Sequence, residues 1–227
     1  MSLTDTFIDF AERGIIPDFL LRAGIRNLCR KRLKQCRTDD CEANAELIEK
    51  YMRSVDEAPL AVLTEKANQQ HSEIPADFYH KALGKNLKYS SCYFEPLVSD
   101  LTTAENRGLE LTCEHAGLQN GQRILELGCG WGSLSLWMAK HFPEANITSV
   151  SNSHSQRAYI MEQARERKLS NLEVITADVN AFEPDGTFDR VVSVEMFEHV
   201  RNHRGLFQRI HSWLKPHGRL FTHVFFH

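Results

Sequence analysis

Three glycines at alternate positions follow an apolar segment in the middle of the chain, in the pattern Glu126-x-Gly128-x-Gly130-x-Gly132 with Ser133 next. Glycines directly after a buried strand permit a tight turn and let a ligand approach the backbone closely. A helix that begins at Ser133 would direct its unpaired amides at the same place. The spacing is neither a dinucleotide fingerprint nor a P-loop. It predicts a ligand-binding loop, with a purely structural glycine turn as the alternative.

A second group that could do chemistry is Glu195, Glu198 and His199. If this segment turns helically, the spacing i, i+3, i+4 brings all three side chains to one face. Two neighbouring carboxylates raise the pKa of one of them toward neutrality, which is what a general base requires. The alternative is that acids at the start of a helix merely complement its dipole.

Polar residues follow two further apolar segments. Asn152 and Gln156 come after one of them and offer neutral amides about one helical turn apart. Asp178 comes after the next and could accept a hydrogen bond from an amino group. Each residue, taken alone, also fits a cap, a surface position or a solvated turn.

These residues share one site only if the intervening elements form a sheet. Alternating apolar and turn-forming segments predict strands and helices in turn. The predicted strands are 124–127, 147–150, 172–176, 188–194 and 219–226, and the predicted helices are 133–141, 155–168 and 204–214. Such alternation is typical of an α/β fold with a parallel sheet covered on both faces. Ligands on these sheets bind beyond the carboxyl ends of the strands, where the residues above lie.

Before residue 95 the apolar residues recur at helical spacing instead. We therefore predict an N-terminal helical region over residues 1–95, acting as a cover for cofactor and substrate, and a strand–helix domain over residues 96–227. At the start of the second part, Thr102 and Glu105 fit a capping box, and Gly117 fits the end of the same helix.

Six basic residues and no acidic one lie between Arg26 and Arg37, with Leu28 and Leu33 among them. This stretch predicts a solvated helix face, and the alternative is contact with an anionic lipid surface.

Composition narrows the classes of function. The chain has 227 residues, of which 42% are hydrophobic and 25% charged, and this is typical of a globular protein. A net charge of −3 argues against a nucleic-acid-binding protein, and no apolar run approaches the ~18 residues of a membrane span. None of the six cysteines forms a C-x-x-C pair, so we expect reduced thiols, no metal site and a cytoplasmic location.

Four motifs together resemble the cyclopropane-fatty-acid synthase superfamily, and within it the coclaurine N-methyltransferase-like branch. They are Tyr89-Ser90-Ser91-Cys92-Tyr93-Phe94, the glycine loop, Ser151-Asn152-Ser153-His154-Ser155-Gln156 and Glu195-Met196-Phe197-Glu198-His199-Val200. The resemblance implies a Rossmann-like class I methyltransferase sheet that uses S-adenosylmethionine. The residues it implies as cofactor contacts are Ser90, Ser91, Glu126, Gly128, Gly130, Asn152, Gln156, Asp178 and Val179.

The amine-methylating branch implies that Glu195, Glu198 and His199 line the place where the amine reacts. We expect Glu198 to accept the proton of the amine, His199 to orient the amine or relay the proton, and Glu195 to attract the cation. Cyclopropane synthases instead place a Cys, the same Glu and a His around bicarbonate, which here are Cys92, Glu198 and His223. Glu195 favours the amine, since lipid-modifying members tend to carry a small residue at its position.

Two alternatives remain at this point. The protein could modify unsaturated phospholipids, with the basic stretch in contact with the membrane. It could also be an inactive relative that only binds the cofactor. Members of the superfamily continue beyond the position of His227, so we expect a sheet cut short after its fifth strand.

Overall fold

The computed structural model describes residues 3–37, 40–62, 74 and 76–225. The chain divides into two compact units, Met1–Ser54 and Val55–His227. Helices α1 (Leu3–Glu12), α2 (Asp18–Cys36) and most of α3 (Cys41–Asp56) form the first unit. Every residue of α2 and α3 is at least partly exposed. No helix in the described ranges is both long and apolar enough to cross a membrane.

The second unit is built on a sheet of five parallel strands, in the order β3-β2-β1-β4-β5. Among the residues described in this unit, two helices precede it, α4 (Ala76–Ala82) and α5 (Leu101–Ala116). The sheet and its connections are β1 (Arg123–Leu127), α6 (Ser133–His141), β2 (Asn146–Ser151), α7 (His154–Glu166), β3 (Leu172–Thr176), β4 (Phe188–Val194), a 3₁₀ turn (Phe197–His199), α8 (His203–Trp213) and β5 (Leu214–His223). The predicted α/β fold with a five-stranded Rossmann-like sheet is confirmed.

Helices cover both faces of this sheet. Along β1, Ile124 packs into a cluster with residues of α5, α6 and α7, whereas its neighbour Leu125 packs on the opposite face with Leu206 and Ile210 of α8. Alternate strand residues point to opposite faces, so a strand buried on both faces is apolar almost throughout. Between β1 and β4 the chain order reverses, and this is where ligands bind in open parallel sheets.

Two sequence expectations differ from the structure. The residue that caps α5 is Asp100, whose carboxylate accepts a hydrogen bond from the Thr103 amide at 2.8 Å. The capping box predicted for Thr102 and Glu105 is therefore wrong, because Glu105 points inward and is fully buried. Gly117 ends α5 in the left-handed conformation, as predicted (φ 62°).

Strand β5 begins earlier than predicted. It starts at Leu214, pairs with Phe188, and passes through an irregular segment before Arg219 pairs with Arg190. The Lys-Pro-His-Gly sequence follows the end of α8 as expected, but it lies within β5, where His217 has a φ of 67°. The last residue of the predicted strand, Phe226, lies outside the described residues.

Candidate functional site

A cavity of about 590 Å³ opens at the carboxyl ends of β1, β2 and β4. This volume falls in the range of small-molecule and cofactor sites. Nine of the residues predicted from the sequence contribute to its lining: Ser90, Glu126, Gly128, Gly130, Asn152, Gln156, Val179, Glu195 and His199. Segments more than a hundred residues apart in the chain thus meet at one edge of the sheet.

The glycine loop forms the part of the cavity that follows β1. Gly128 and Gly130 have φ angles of 79° and 51°, a region that side chains disfavour. A Cβ on Gly128 would lie 2.7 Å from the Met196 side chain, and one on Gly130 would lie 2.5 Å from the Tyr89 hydroxyl. Both glycines are therefore required by backbone conformation and by space, which supports the predicted close approach of a ligand.

Glu126 lies beneath this loop and is almost completely buried. Its carboxylate accepts hydrogen bonds from the Ser135 and Ser149 hydroxyls, which joins β1 to β2 and to the helix after the loop. Desolvation raises the pKa of the Glu126 carboxyl, and the two hydroxyl donors oppose that rise. The two serines were not predicted from the sequence, because nothing local marks a serine as the partner of a distant carboxylate.

The loop after β2 supplies polar groups of two kinds. Asn152 is exposed and faces the cavity, whereas Gln156 is buried and accepts a hydrogen bond from the Ser151 hydroxyl at 2.7 Å. Ser153 caps α7. The predicted pair of amides is thus present, one exposed and one held in place by the strand end.

The wall after β3 is apolar. Val179 and Phe182 line the cavity with Ala61 and Val62 of an earlier segment. Asp178 is not among the lining residues. Its carboxylate accepts from the amide and the side chain of Asn180 at 2.8 and 2.9 Å. The structure therefore places Asp178 in a turn beside the cavity.

The segment before α5 carries a buried lysine that was not predicted. Lys88 is 3% exposed and donates from Nζ to the Ser90 hydroxyl at 2.5 Å and to the Ser91 carbonyl at 2.8 Å. Desolvation lowers the pKa of the Lys88 ammonium, against the attraction of nearby acidic groups that include Glu195. Next to it, Tyr89 is half-exposed, but desolvation raises the pKa of its hydroxyl to about 12.

The three residues predicted to share a helix face do not do so. Glu195 lies before the 3₁₀ turn with a φ of 51°, so it is outside any helix. It lines the cavity with His199, and its carboxylate accepts from the Ser91 amide at 3.0 Å. Glu198 instead accepts a hydrogen bond from the Phe225 amide beyond β5. A positive φ is strained for a residue other than glycine, and such strain is often found at functional sites. The backbone conformation of Glu195 is therefore a further reason to assign this residue a role.

Three other predicted residues, Ser91, Cys92 and His223, lie next to the cavity rather than in its lining. Ser91 has its hydroxyl 3.5 Å from Nε2 of His223. The sulfur of Cys92 contacts the carbonyls of Lys88 and Ser90 at 3.7 Å, and burial raises the pKa of its thiol.

Among the described residues, no group of three or more His, Cys, Asp or Glu side chains could hold a metal ion.

Comparison with known proteins agrees with the geometry. A family profile described as Mycolic acid cyclopropane synthetase matches residues 62–227. The chain is 37% identical over 212 residues to (S)-coclaurine N-methyltransferase of Thalictrum flavum subsp. glaucum, covering 93% of this chain and 58% of that protein. It is 31% identical over 158 residues to the cyclopropane-fatty-acyl-phospholipid synthase of Escherichia coli strain K12, covering 69% of this chain and 40% of that protein.

Solved structures give the same pattern. A coclaurine N-methyltransferase bound to N-methylheliamine and SAH superposes with a TM-score of 0.84 and 35% identity, covering 97% of this chain and 64% of that one. A cyclopropane synthase of Mycobacterium tuberculosis superposes with a TM-score of 0.66 and 28% identity, covering 74% of this chain and 58% of that one. The chain thus spans less than two thirds of the length of each of these proteins.

Proposed function

The chain belongs to the Mycolic acid cyclopropane synthetase family, and from this premise we propose that it transfers a methyl group from S-adenosylmethionine to a small amine. The relatives with amine substrates in their names support this proposal, since (S)-coclaurine and pavine N-methyltransferases align over 93% of the chain. The observation that carries it is the position of Glu195 and His199 in the same cavity as the glycine loop.

The lining of the cavity fits the proposed cofactor. Gly128 and Gly130 leave room for close contact with a ligand, and Ser90 and Asn152 offer hydrogen-bonding side chains for its amino-acid and ribose parts. Val179 and Phe182 supply an apolar surface for the adenine ring. When bound, S-adenosylmethionine supplies a methyl group activated by a positively charged sulfur. Methyl transfer then depends mainly on positioning, which can contribute ~7–11 kcal/mol.

An ammonium ion must lose a proton before its nitrogen can attack, so an amine substrate requires a general base. In our proposal Glu195 attracts the cation into the cavity, because its carboxylate is there and already held by the Ser91 amide. His199 relays the proton, since an imidazole can both accept and donate near neutral pH. Glu198 directly precedes His199, lies at the solvent-exposed side of the turn, and receives the proton.

The contacts of Cys92 favour an amine over a lipid. A lipid-modifying site of the cyclopropane-synthase type would use Cys92, Glu198 and His223 together. The Cys92 sulfur contacts backbone carbonyls, and none of these three residues is part of the cavity lining, whereas Glu195 and His199 are. A carboxylate inside the cavity also suits a cation better than an uncharged alkene.

The experiment is incubation of the protein with S-adenosylmethionine labelled in its methyl group, together with coclaurine and with vesicles of unsaturated anionic phospholipid. We expect label in the amine and none in the acyl chains. Label in the acyl chains alone would establish the lipid alternative. Calorimetric titration with S-adenosylmethionine serves as the companion measurement, because a protein that binds no cofactor cannot be a methyltransferase, whereas binding without labelling of either substrate would favour the inactive relative.

A further inference from the structure

Lys88 is a buried cation next to the proposed methyl-transfer site. Lysines are almost never fully buried unless a partner compensates the loss of water. Here the ammonium donates to the Ser90 hydroxyl and the Ser91 carbonyl, at 2.5 and 2.8 Å. Lys88 itself contributes to the lining of the cavity. Its charge is therefore used to hold two consecutive residues of the segment that borders the cavity.

The backbone of Lys88 is fixed from the opposite side by a buried carboxylate. Glu105 of α5 is 0% exposed and accepts hydrogen bonds from the amides of Gly84, Asn86 and Lys88 at 2.9, 2.9 and 3.2 Å. The Lys88 stem packs on α5 as well, with Cε 3.3 Å from the position of a Cβ on Gly108. The backbone amide and the aliphatic stem of Lys88 are thus both held by α5, and the ammonium is held by the two serines.

The restraint continues to Glu195. Beyond the serines, the Ser91 amide donates to Oε1 of Glu195 at 3.0 Å. We infer that Lys88 is a positioning residue: its ammonium binds the Ser90 hydroxyl and the Ser91 carbonyl, on either side of the Ser91 amide, and so holds that amide where it orients the Glu195 carboxylate toward the amine. This inference rests on the proposed function, in which Glu195 binds the amine.

A neutral side chain of the same length could fill the space of Lys88 but could not donate to Ser90 and Ser91. Lys88→Met is therefore the informative substitution, since methionine adapts to irregular packing. Loss of a charged hydrogen-bond donor costs roughly ten- to hundredfold in the equilibrium that it controls. The matched control is Lys85→Met, because Lys85 is an exposed lysine of the same loop.

The first measurement is steady-state kinetics with the amine. We expect Lys88→Met to raise KM for the amine by up to about tenfold, no more than loss of the Glu195 charge itself, and Lys85→Met to leave it unchanged. Because Lys88 acts through Glu195, the double variant Lys88→Met with Glu195→Gln should have the KM of Glu195→Gln alone. An unchanged KM in Lys88→Met, or effects that multiply in the double variant, would overturn the inference.

The second measurement does not depend on catalysis. Hydrogen–deuterium exchange of the Ser91 amide should be faster in Lys88→Met than in the wild-type protein, while amides of β1 keep their protection. Unchanged exchange at Ser91 would also overturn the inference. If the wild-type protein methylates no amine, the proposed function fails by itself, and the exchange experiment still decides whether Lys88 holds the backbone at Ser91.

Discussion

The hydroxyl of Tyr89 lies 2.5 Å from the position that a Cβ on Gly130 would occupy. Two parts of the chain that are far apart in sequence therefore approach each other over the cavity, and only glycine permits the approach. Gly130 is also in the left-handed region, where an L side chain is strained.

Gly130→Ala should weaken the binding of S-adenosylmethionine by about tenfold or more, because the strain and the displaced Tyr89 both alter the loop. Calorimetric titration measures the effect. Gly121→Ala is the control, since Gly121 also has a positive φ, 78°, but has open space around it. It should lower stability by about 1 kcal/mol and leave cofactor binding unchanged. Equal affinities in Gly130→Ala and the wild-type protein would contradict the proposed role of the loop.

Glu195→Gln should raise KM for the amine by roughly tenfold, because a pair of charges near a protein surface attracts by about 1–4 kcal/mol. Glutamine keeps the acceptor for the Ser91 amide, so the backbone should not move. Steady-state kinetics at two salt concentrations measures the effect, and the advantage of the wild-type protein should shrink at high salt. A KM equal to that of the wild-type protein would exclude attraction of the cation by Glu195.

Glu198→Gln should lower turnover by about 10²–10⁴, the contribution typical of a general base, with little change in cofactor affinity. The glutamine oxygen can still accept from the Phe225 amide. Single-turnover rates with labelled cofactor measure this effect, with the exposed Glu173→Gln as the control. Full activity of Glu198→Gln would refute its assignment as the proton acceptor.

Glu126→Gln should change how stability depends on pH. Because burial raises the pKa of Glu126 in the folded protein, the folded state binds this proton more tightly than the unfolded state does. The stability that Glu126 contributes is complete below its ordinary pKa of 4.5 and is lost as pH rises through the folded value. Wild-type protein should therefore lose stability relative to Glu126→Gln as pH rises above 4.5.

The measurement is the thermal midpoint of both proteins at a series of pH values. Glu144→Gln, which changes an exposed glutamate, should follow the wild-type curve. Parallel curves for Glu126→Gln and the wild-type protein would mean that Glu126 titrates normally in the folded protein.

Glu105→Gln should destabilise the second unit by about 1.5–3 kcal/mol, the contribution of hydrogen bonds to a charged group. The two oxygens of the Glu105 carboxylate accept hydrogen bonds from three backbone amides, whereas a glutamine side chain has a single acceptor oxygen. Urea denaturation followed by circular dichroism measures the change. Unaltered stability would show that the loop from Gly84 to Lys88 does not depend on this carboxylate.

Local patterns in the sequence predicted the sheet and the helices that follow its strands. The limits of β3, β4 and α6 match the prediction residue for residue, because apolar runs bounded by glycine, proline and polar residues are local signals. The glycine loop was predicted for the same reason, since its spacing after a strand can be read within ten residues.

Which polar side chains meet could not be predicted from the sequence and follows from the packing of separate elements. Contacts between separate elements produce no periodic pattern in the sequence. The burial of Lys88, the hydrogen bonds of two serines to Glu126 and the inward direction of Glu105 all depend on such contacts. Glu195 likewise has a positive φ, so it lies outside the predicted helix. Its side chain lines the cavity, whereas that of Glu198 does not. Local patterning thus fixed the backbone frame, whereas long-range hydrogen bonds set the directions of the charged groups within it.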